Sequence, residues 1–262
     1  ITYNRTLTSI NLHKNPMCDG AQIAADDKGL VSLAEAVRWN TALKQLTLEG
    51  GELSITSLKG IVEKREVTKK SENHHDLAAH CKAIDLSSQN LNLISGSVIA
   101  SLVKENTLLT ELQLQTNDLG PEGMTTIVDA LSEEHLTFLD MSSNVKPLMS
   151  GTSKAEQQQK QLNELMLKIG RLKALERLTM EKNELVTISS LGELTNLKTL
   201  SLCNNKLVSL PEDLWRLRQL KKLSVHGNRI REINTSIGQL ESLESLDMKS
   251  NLLTYLPASI GQ

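Results

Sequence analysis

The side chains best equipped for chemistry in this chain are His74, His75, Asp76, His80 and Cys81, five metal-capable groups within eight residues. Zinc requires several such ligands converging at fixed distances. His75 and His80 stand five residues apart, which on a helix turns them onto diverging faces where a spacing of four would align them. Cys81 starts a segment whose counterparts elsewhere begin with leucine, so it points inward as a small apolar residue. The cluster reads as solvated histidines, and neither a metal nor a cofactor is expected. The three cysteines, Cys18, Cys81 and Cys203, are dispersed and odd in number, which gives no disulfide framework and no paired metal motif. They suit an intracellular, cytoplasmic chain, and Cys203 is expected to be an exposed thiol. No P-loop, GxSxG or HExxH motif and no glycine-rich phosphate cradle occurs. Catalysis is not expected. Asn4 and Asn234 head glycosylation sequons, a number that chance supplies in an asparagine-rich chain.

Composition says what must carry the fold. The 262 residues are 39% hydrophobic and 23% charged with a formal charge of −2, values that argue for a folded chain and against nucleic acid or a membrane span as the theme. Only five residues are aromatic (Tyr3, Trp39, Phe138, Trp215 and Tyr255), whereas 47 are leucine. Leucine in such excess signals a repeat. The pattern L-x-x-L-x-L-x-x-N starts at Leu7, Leu43, Cys81, Leu109, Leu136, Leu175, Leu197, Leu220 and Leu243. Its second position reads Ile10, Leu46, Ile84, Leu112, Leu139, Leu178, Leu200, Leu223 and Leu246, without an exception. Asparagine closes seven of the nine copies, Gly51 and Gln89 replacing it in the other two. The alternation x-L-x-L is a short strand with one buried face, and the asparagine beyond it falls in the following turn. There its amide can satisfy main-chain groups trapped between stacked turns.

On these nine motifs the chain resembles the leucine-rich-repeat family along its whole length. The resemblance implies an α/β right-handed solenoid, a horseshoe with a parallel concave sheet and convex helices, formed as a single domain over 1–262. Long units over 1–170 resemble ribonuclease-inhibitor-like repeats, with Pro121 at a helix start and Ile127, Ala130 and Leu131 as its apolar stripe. Short units over 171–262 resemble the intracellular Ras-group, Scribble-like type of 23 residues, seen in Leu210-Pro211-Glu212-Asp213-Leu214. Two extensions interrupt the long units. The one at 57–80 is charged with mixed signs and reads as a solvated excursion. The one at 146–170 reads as a longer convex helix, Ser153 and Glu156 making a capping box and Leu162, Leu165, Met166 and Ile169 its buried stripe. Asn4-Arg5-Thr6-Leu7 and Ser259-Ile260-Gly261-Gln262 both match repeat interiors, so the chain is expected to be a piece of a longer protein.

Strand alternation also fixes which residues face out of the sheet, and these are the candidate binding residues: Asp85, Gln113, Gln115, Phe138, Asp140, Thr179, Glu181, His226 and Asp247. They are polar and mixed in charge, which suits a protein partner better than a buried cofactor. Phe138, the only phenylalanine, is either the anchor of such a surface or a ring covered by a neighbouring loop. Glu176 with Lys198 and Lys221 with Glu244 should pair laterally across short repeats, while Trp39 and Trp215 belong to the packed convex side. The resemblance implies a non-enzymatic scaffold or adaptor, such as a subunit of a cytoskeletal or ciliary assembly. An NLR-type sensor region and a small-GTPase regulator of the RanGAP kind remain alternatives. The last acts with an arginine, and none of Arg5, Arg38 and Arg65 lies in an asparagine turn.

Overall fold

The computed structural model describes residues 9–11, 45–48, 51–54, 82–104 and 106–261. Every one of the nine motifs forms a strand that contains its second apolar residue: β1 (Ser9–Asn11), β2 (Gln45–Leu48), β4 (Ala83–Asp85), β5 (Glu111–Gln113), β6 (Phe138–Asp140), β7 (Arg177–Thr179), β8 (Thr199–Ser201), β9 (Lys222–Ser224) and β10 (Ser245–Asp247). An additional strand, β3 (Gly51–Ser54), folds back antiparallel on β2, with Leu48 opposite Gly51. A turn was expected where Gly51 replaces the asparagine, and a hairpin stands there instead. Without the amide, the strand's edge is satisfied by a second strand.

β4 to β10 form one parallel sheet in strict sequence order, the arrangement of a stacked coil. Ile84, Leu112, Leu139, Leu178, Leu200, Leu223 and Leu246 are register mates along it, so one apolar row runs down the buried side. Unit length decides what closes each coil. The longer crossovers carry α1 (Leu93–Val103), α2 (Gly120–Ala130) and α3 (Ser153–Ile169). The shorter ones have room only for 3-10 turns at Leu191–Glu193, Glu212–Arg216, Thr235–Gln239 and Ala258–Gly261.

Local chemistry sets the helix ends. Asn92 caps α1 by accepting from the Ile94 and Ser95 amides at 3.1 Å each. Pro121 stands in the first turn of α2, where its missing N–H costs nothing. α3 is capped by Thr152, which accepts from the Ala155 amide at 3.2 Å, so the expected cap at Ser153 moves back by one residue. Ser153 is already helical, following Gly151 with φ of 78°. Leu162, Leu165, Met166 and Ile169 form its buried stripe as expected. α1 and α2 approach closely at a glycine pair, where a Cβ on Gly96 would lie 3.0 Å from the Gly123 carbonyl oxygen.

The turn asparagines hold neighbouring coils together. Asn205, 7% exposed, donates to the Met180 and Leu202 carbonyls at 2.9 and 3.0 Å and accepts from the Asn183 and Leu185 amides at 2.9 and 3.1 Å. Asn117, Asn144, Asn183, Asn228 and Asn251 likewise donate to a carbonyl of the preceding repeat. Gln89, the exception, donates among the described residues to Ser87 of its own turn. Trp215 is buried on the convex side as expected, its indole Nε1 without a hydrogen-bond partner among the described residues. At the β10 end the apolar row is less covered, Leu246 and Met248 being half-buried.

Candidate functional site

Three outward rows cross the seven-stranded sheet. The middle row joins Asp85, Gln113, Asp140, Thr179, Ser201, Ser224 and Asp247 as register partners. The outer row joins Ala83, Glu111, Phe138, Arg177, Thr199, Lys222 and Ser245. Beyond the strands a third row holds Ser87, Gln115, Ser142, Glu181, Cys203, His226 and Lys249, linked through amide-to-carbonyl bonds such as Ser88 N to Gln115 O and Thr116 N to Ser142 O. All nine candidate residues therefore lie on one continuous surface, and parallel strands bring neighbours in a row to about 4.8 Å.

Phe138 is half-buried, and what covers it is Arg177, its register partner on β7, whose guanidinium carbon lies 4.1 Å from the ring centroid. The pair makes a flat cation–aromatic platform at the middle of the face. Arg177 is absent from the candidate set that the sequence provides. Its signal was present, since it occupies the outward position equivalent to Phe138 one repeat later.

Asp140 stands one outward step from Phe138. Burial pushes its carboxyl above the ordinary aspartate range; hydrogen bonds from the Ser142 amide (2.9 Å) and hydroxyl oppose that rise, and the charges of Glu181 and Asp85 add to it. Glu181 accepts from the Ser201 hydroxyl at 2.6 Å, and its own amide donates to Ser142 Oγ at 3.0 Å. Gln115 is half-buried, and its Oε1 meets neither solvent nor a donor among the described residues. Thr179 is half-buried between these groups and the next strand.

Toward β10 the surface changes character. His226 Nδ1 lies 3.0 Å from Asp247 Oδ2, and Nε2 lies 3.3 Å from the Asn204 amide nitrogen. With Nε2 accepting from that amide, the ring proton of the neutral form sits on Nδ1 and is donated to Asp247. The Lys249 amide, 3.1 Å from Oδ1, holds the Asp247 carboxyl below its ordinary range, with His226 adding to the effect. This is a histidine–carboxylate pair, yet the ring's other nitrogen faces an amide, which cannot be activated as a nucleophile.

One expectation fails outright. Cys203 is 1% exposed, with its Sγ 3.3 Å from Ser201 Oγ. It lies in the third row between Glu181 and His226. The lateral pairs are present as expected, Lys198 with Glu176 at 2.8 Å and Lys221 with Glu244 at 2.9 Å. Exposed pairs of this kind contribute about 0–1 kcal/mol. The histidine cluster at 74–81, the extension at 57–80 and Trp39 lie outside the described residues. Among the described residues no group of three or more His, Cys, Asp or Glu side chains is placed to hold a metal, and no helix is long and apolar enough to cross a membrane.

Residues 196–217 match the family model described as Leucine Rich Repeat. No curated protein matches the chain. Among solved structures it is similar to a plant peptide hormone receptor, RGFR1 in complex with RGF2, at 22% identity and a TM-score of 0.48, over 69% of this chain and 26% of the receptor. It is also similar to the LRR protein LIC12759 of Leptospira interrogans, at 21% identity and a TM-score of 0.41, over 68% of this chain and 57% of that one. The matched region thus spans about a quarter of the receptor and little more than half of the bacterial protein.

Proposed function

Taking the chain as a leucine-rich-repeat protein, we propose that it is a non-enzymatic recognition module, a scaffold or adaptor that binds a protein partner on the concave face of its seven-stranded sheet. The observation that carries this reading is the Phe138–Arg177 platform beside Asp140, an aromatic, a guanidinium and a carboxylate grouped at the centre of a rigid surface. Aromatic and arginine side chains of this kind dominate interface energetics. Rigidity helps too. Side chains held on a hydrogen-bonded sheet have little freedom left to lose on binding. The binding residues are Asp85, Gln113, Gln115, Phe138, Asp140, Thr179, Glu181, His226 and Asp247, to which Arg177 is added. Cellular placement in the cytoplasm belongs to the same reading, supported by dispersed cysteines of which Cys203 is free and buried. Which assembly the module serves follows from the identity of the partner.

The test is affinity capture from the source organism with the wild-type protein and with Phe138→Glu/Asp140→Lys, both quantified by mass spectrometry. A protein retained by the first and lost by the second, with unchanged circular dichroism, supports the reading. Identical partner profiles for the two reject the concave face.

A further inference from the structure

We infer that the concave face over β4 to β6 takes a basic polypeptide segment, whose lysine or arginine side chains seat between Asp85 and Asp140. This rests on the proposed concave-face function and names the chemistry of its partner.

The argument is one of complementarity. The outward positions of β4, β5 and β6 are Ala83, Asp85, Ser87, Glu111, Gln113, Gln115, Phe138, Asp140 and Ser142, with three carboxylates and no lysine or arginine among them. Asp85, Glu111 and Asp140 form no ion pair within the described residues, although acids at the sheet's margins do: Glu176 with Lys198, Glu244 with Lys221, Asp118 with Lys146. Asp85 and Asp140 are separated by one strand, so about 9–10 Å divides their backbones, with Gln113 between them. A lysine or guanidinium placed above Gln113 comes within reach of both carboxylates. Burial and the charges of Asp85 and Glu181 make the ionised Asp140 uncomfortable by itself, and a cation relieves that.

The wider charge pattern orients the occupant. Residues 82–170 hold six lysines against eleven acidic groups, whereas 171–261 hold thirteen basic against ten acidic groups. On the face itself β4 to β6 carry acids alone, whereas β7 to β10 carry Arg177, Lys222 and Lys249 against Glu181 and Asp247, close to balance. A segment with its basic part over β4–β6 and a neutral or acidic part toward β9 follows this gradient. Nucleic acid, being anionic, is repelled from β4 to β6.

The experiment uses fluorescein-labelled octapeptides on the full chain: (Lys-Ser)4, the same peptide with acetylated lysines, and (Glu-Ser)4, read by fluorescence anisotropy at low and high salt. The expected result is binding of the lysine peptide alone, weakened by salt, and at least tenfold weaker in Asp85→Asn/Asp140→Asn. Asp118→Asn/Glu156→Gln, which removes acids away from the face, should bind as wild type. Equal binding by the Asp85→Asn/Asp140→Asn variant and the wild type, or binding of the acetylated peptide, overturns the inference. So does competition by calcium chloride alone at low millimolar concentration, which would assign the carboxylates to a metal ion. The two readings fail separately: a partner lost from Phe138→Glu/Asp140→Lys but retained by Asp85→Asn/Asp140→Asn keeps the concave-face function and removes the basic occupant.

Discussion

Replacing Asn205 by alanine removes a small side chain that touches no ligand, yet it should be among the most damaging single changes in the short repeats. Four hydrogen bonds go at once: the Met180 carbonyl and the Asn183 and Leu185 amides lose their partner, and the Leu202 carbonyl keeps only Asn228. The site is 7% exposed, so water has little access to take over. A net value of about 1 kcal/mol per hydrogen bond gives a loss of roughly 4 kcal/mol, with orphaned buried groups pulling the figure upward. Asn251→Ala is the internal control. Asn251 donates to the Val225 and Met248 carbonyls at 2.9 Å and accepts from Ile230 at 3.0 Å, but it is half-buried, and water can replace part of what is lost. Its cost should be about 1–2 kcal/mol. Urea unfolding compares the two, and hydrogen-exchange mass spectrometry locates the damage, since a repeat array loosens where its interface is cut. Exchange should accelerate over 180–207 in the Asn205 variant. Equal costs for the two substitutions, or a cost for Asn205→Ala below about 1 kcal/mol, would refute the asparagine ladder as the tie between coils.

Other consequences are open to direct measurement. Asp140→Asn should raise the melting temperature at neutral pH: the folded-state pKa of Asp140 lies above its unfolded value, so ionisation there opposes folding at high pH. The advantage of asparagine should shrink as pH falls through that raised pKa toward the ordinary aspartate range, and a gain that grows on acidification contradicts the assignment. Gly96→Val should destabilise by about 2 kcal/mol or more in a thermal or urea melt, because its side chain meets the Gly123 backbone rather than a movable group. Trp215→Ala should cost about 3–5 kcal/mol, while Trp215→Phe should cost much less, since losing ring volume is offset by removing an unpaired indole N–H. Cys203 should resist alkylation in the folded protein and react on unfolding, read by mass spectrometry of its own peptide.

What the sequence made legible was periodic. Each strand centre, the inward row and the outward rows follow from an alternation repeated nine times, and a period cannot be mistaken once it recurs. The helix in the extension, its buried stripe and the lateral Glu–Lys pairs were readable for the same reason. Features that depend on a single local choice were not. Thr152 and Ser153 are both capable caps, and the structure gives the extended cap backbone to Thr152, with φ of −93° and ψ of 149°. The β3 hairpin arises where the asparagine is missing, a place where the pattern says what is lost and not what replaces it. Cys203 illustrates a third limit: alternation fixes direction and not exposure, and this outward-row thiol is 1% exposed. Arg177 was legible as the outward neighbour of Phe138 one repeat later, 39 residues on in sequence, but its lying over the ring is a side-chain choice that alternation does not specify.

The central claim is that recognition occurs on the concave rows, with Phe138, Arg177 and Asp140 at their middle. It is tested most directly by the affinity of the captured partner, measured by calorimetry, for the wild type, for Phe138→Glu/Asp140→Lys, and for Glu122→Lys/Glu156→Lys on the convex helices. A fall of at least a hundredfold for the concave variant, with the convex variant within threefold of wild type, is the predicted result. Full affinity in the concave variant, or loss confined to the convex one, would contradict it.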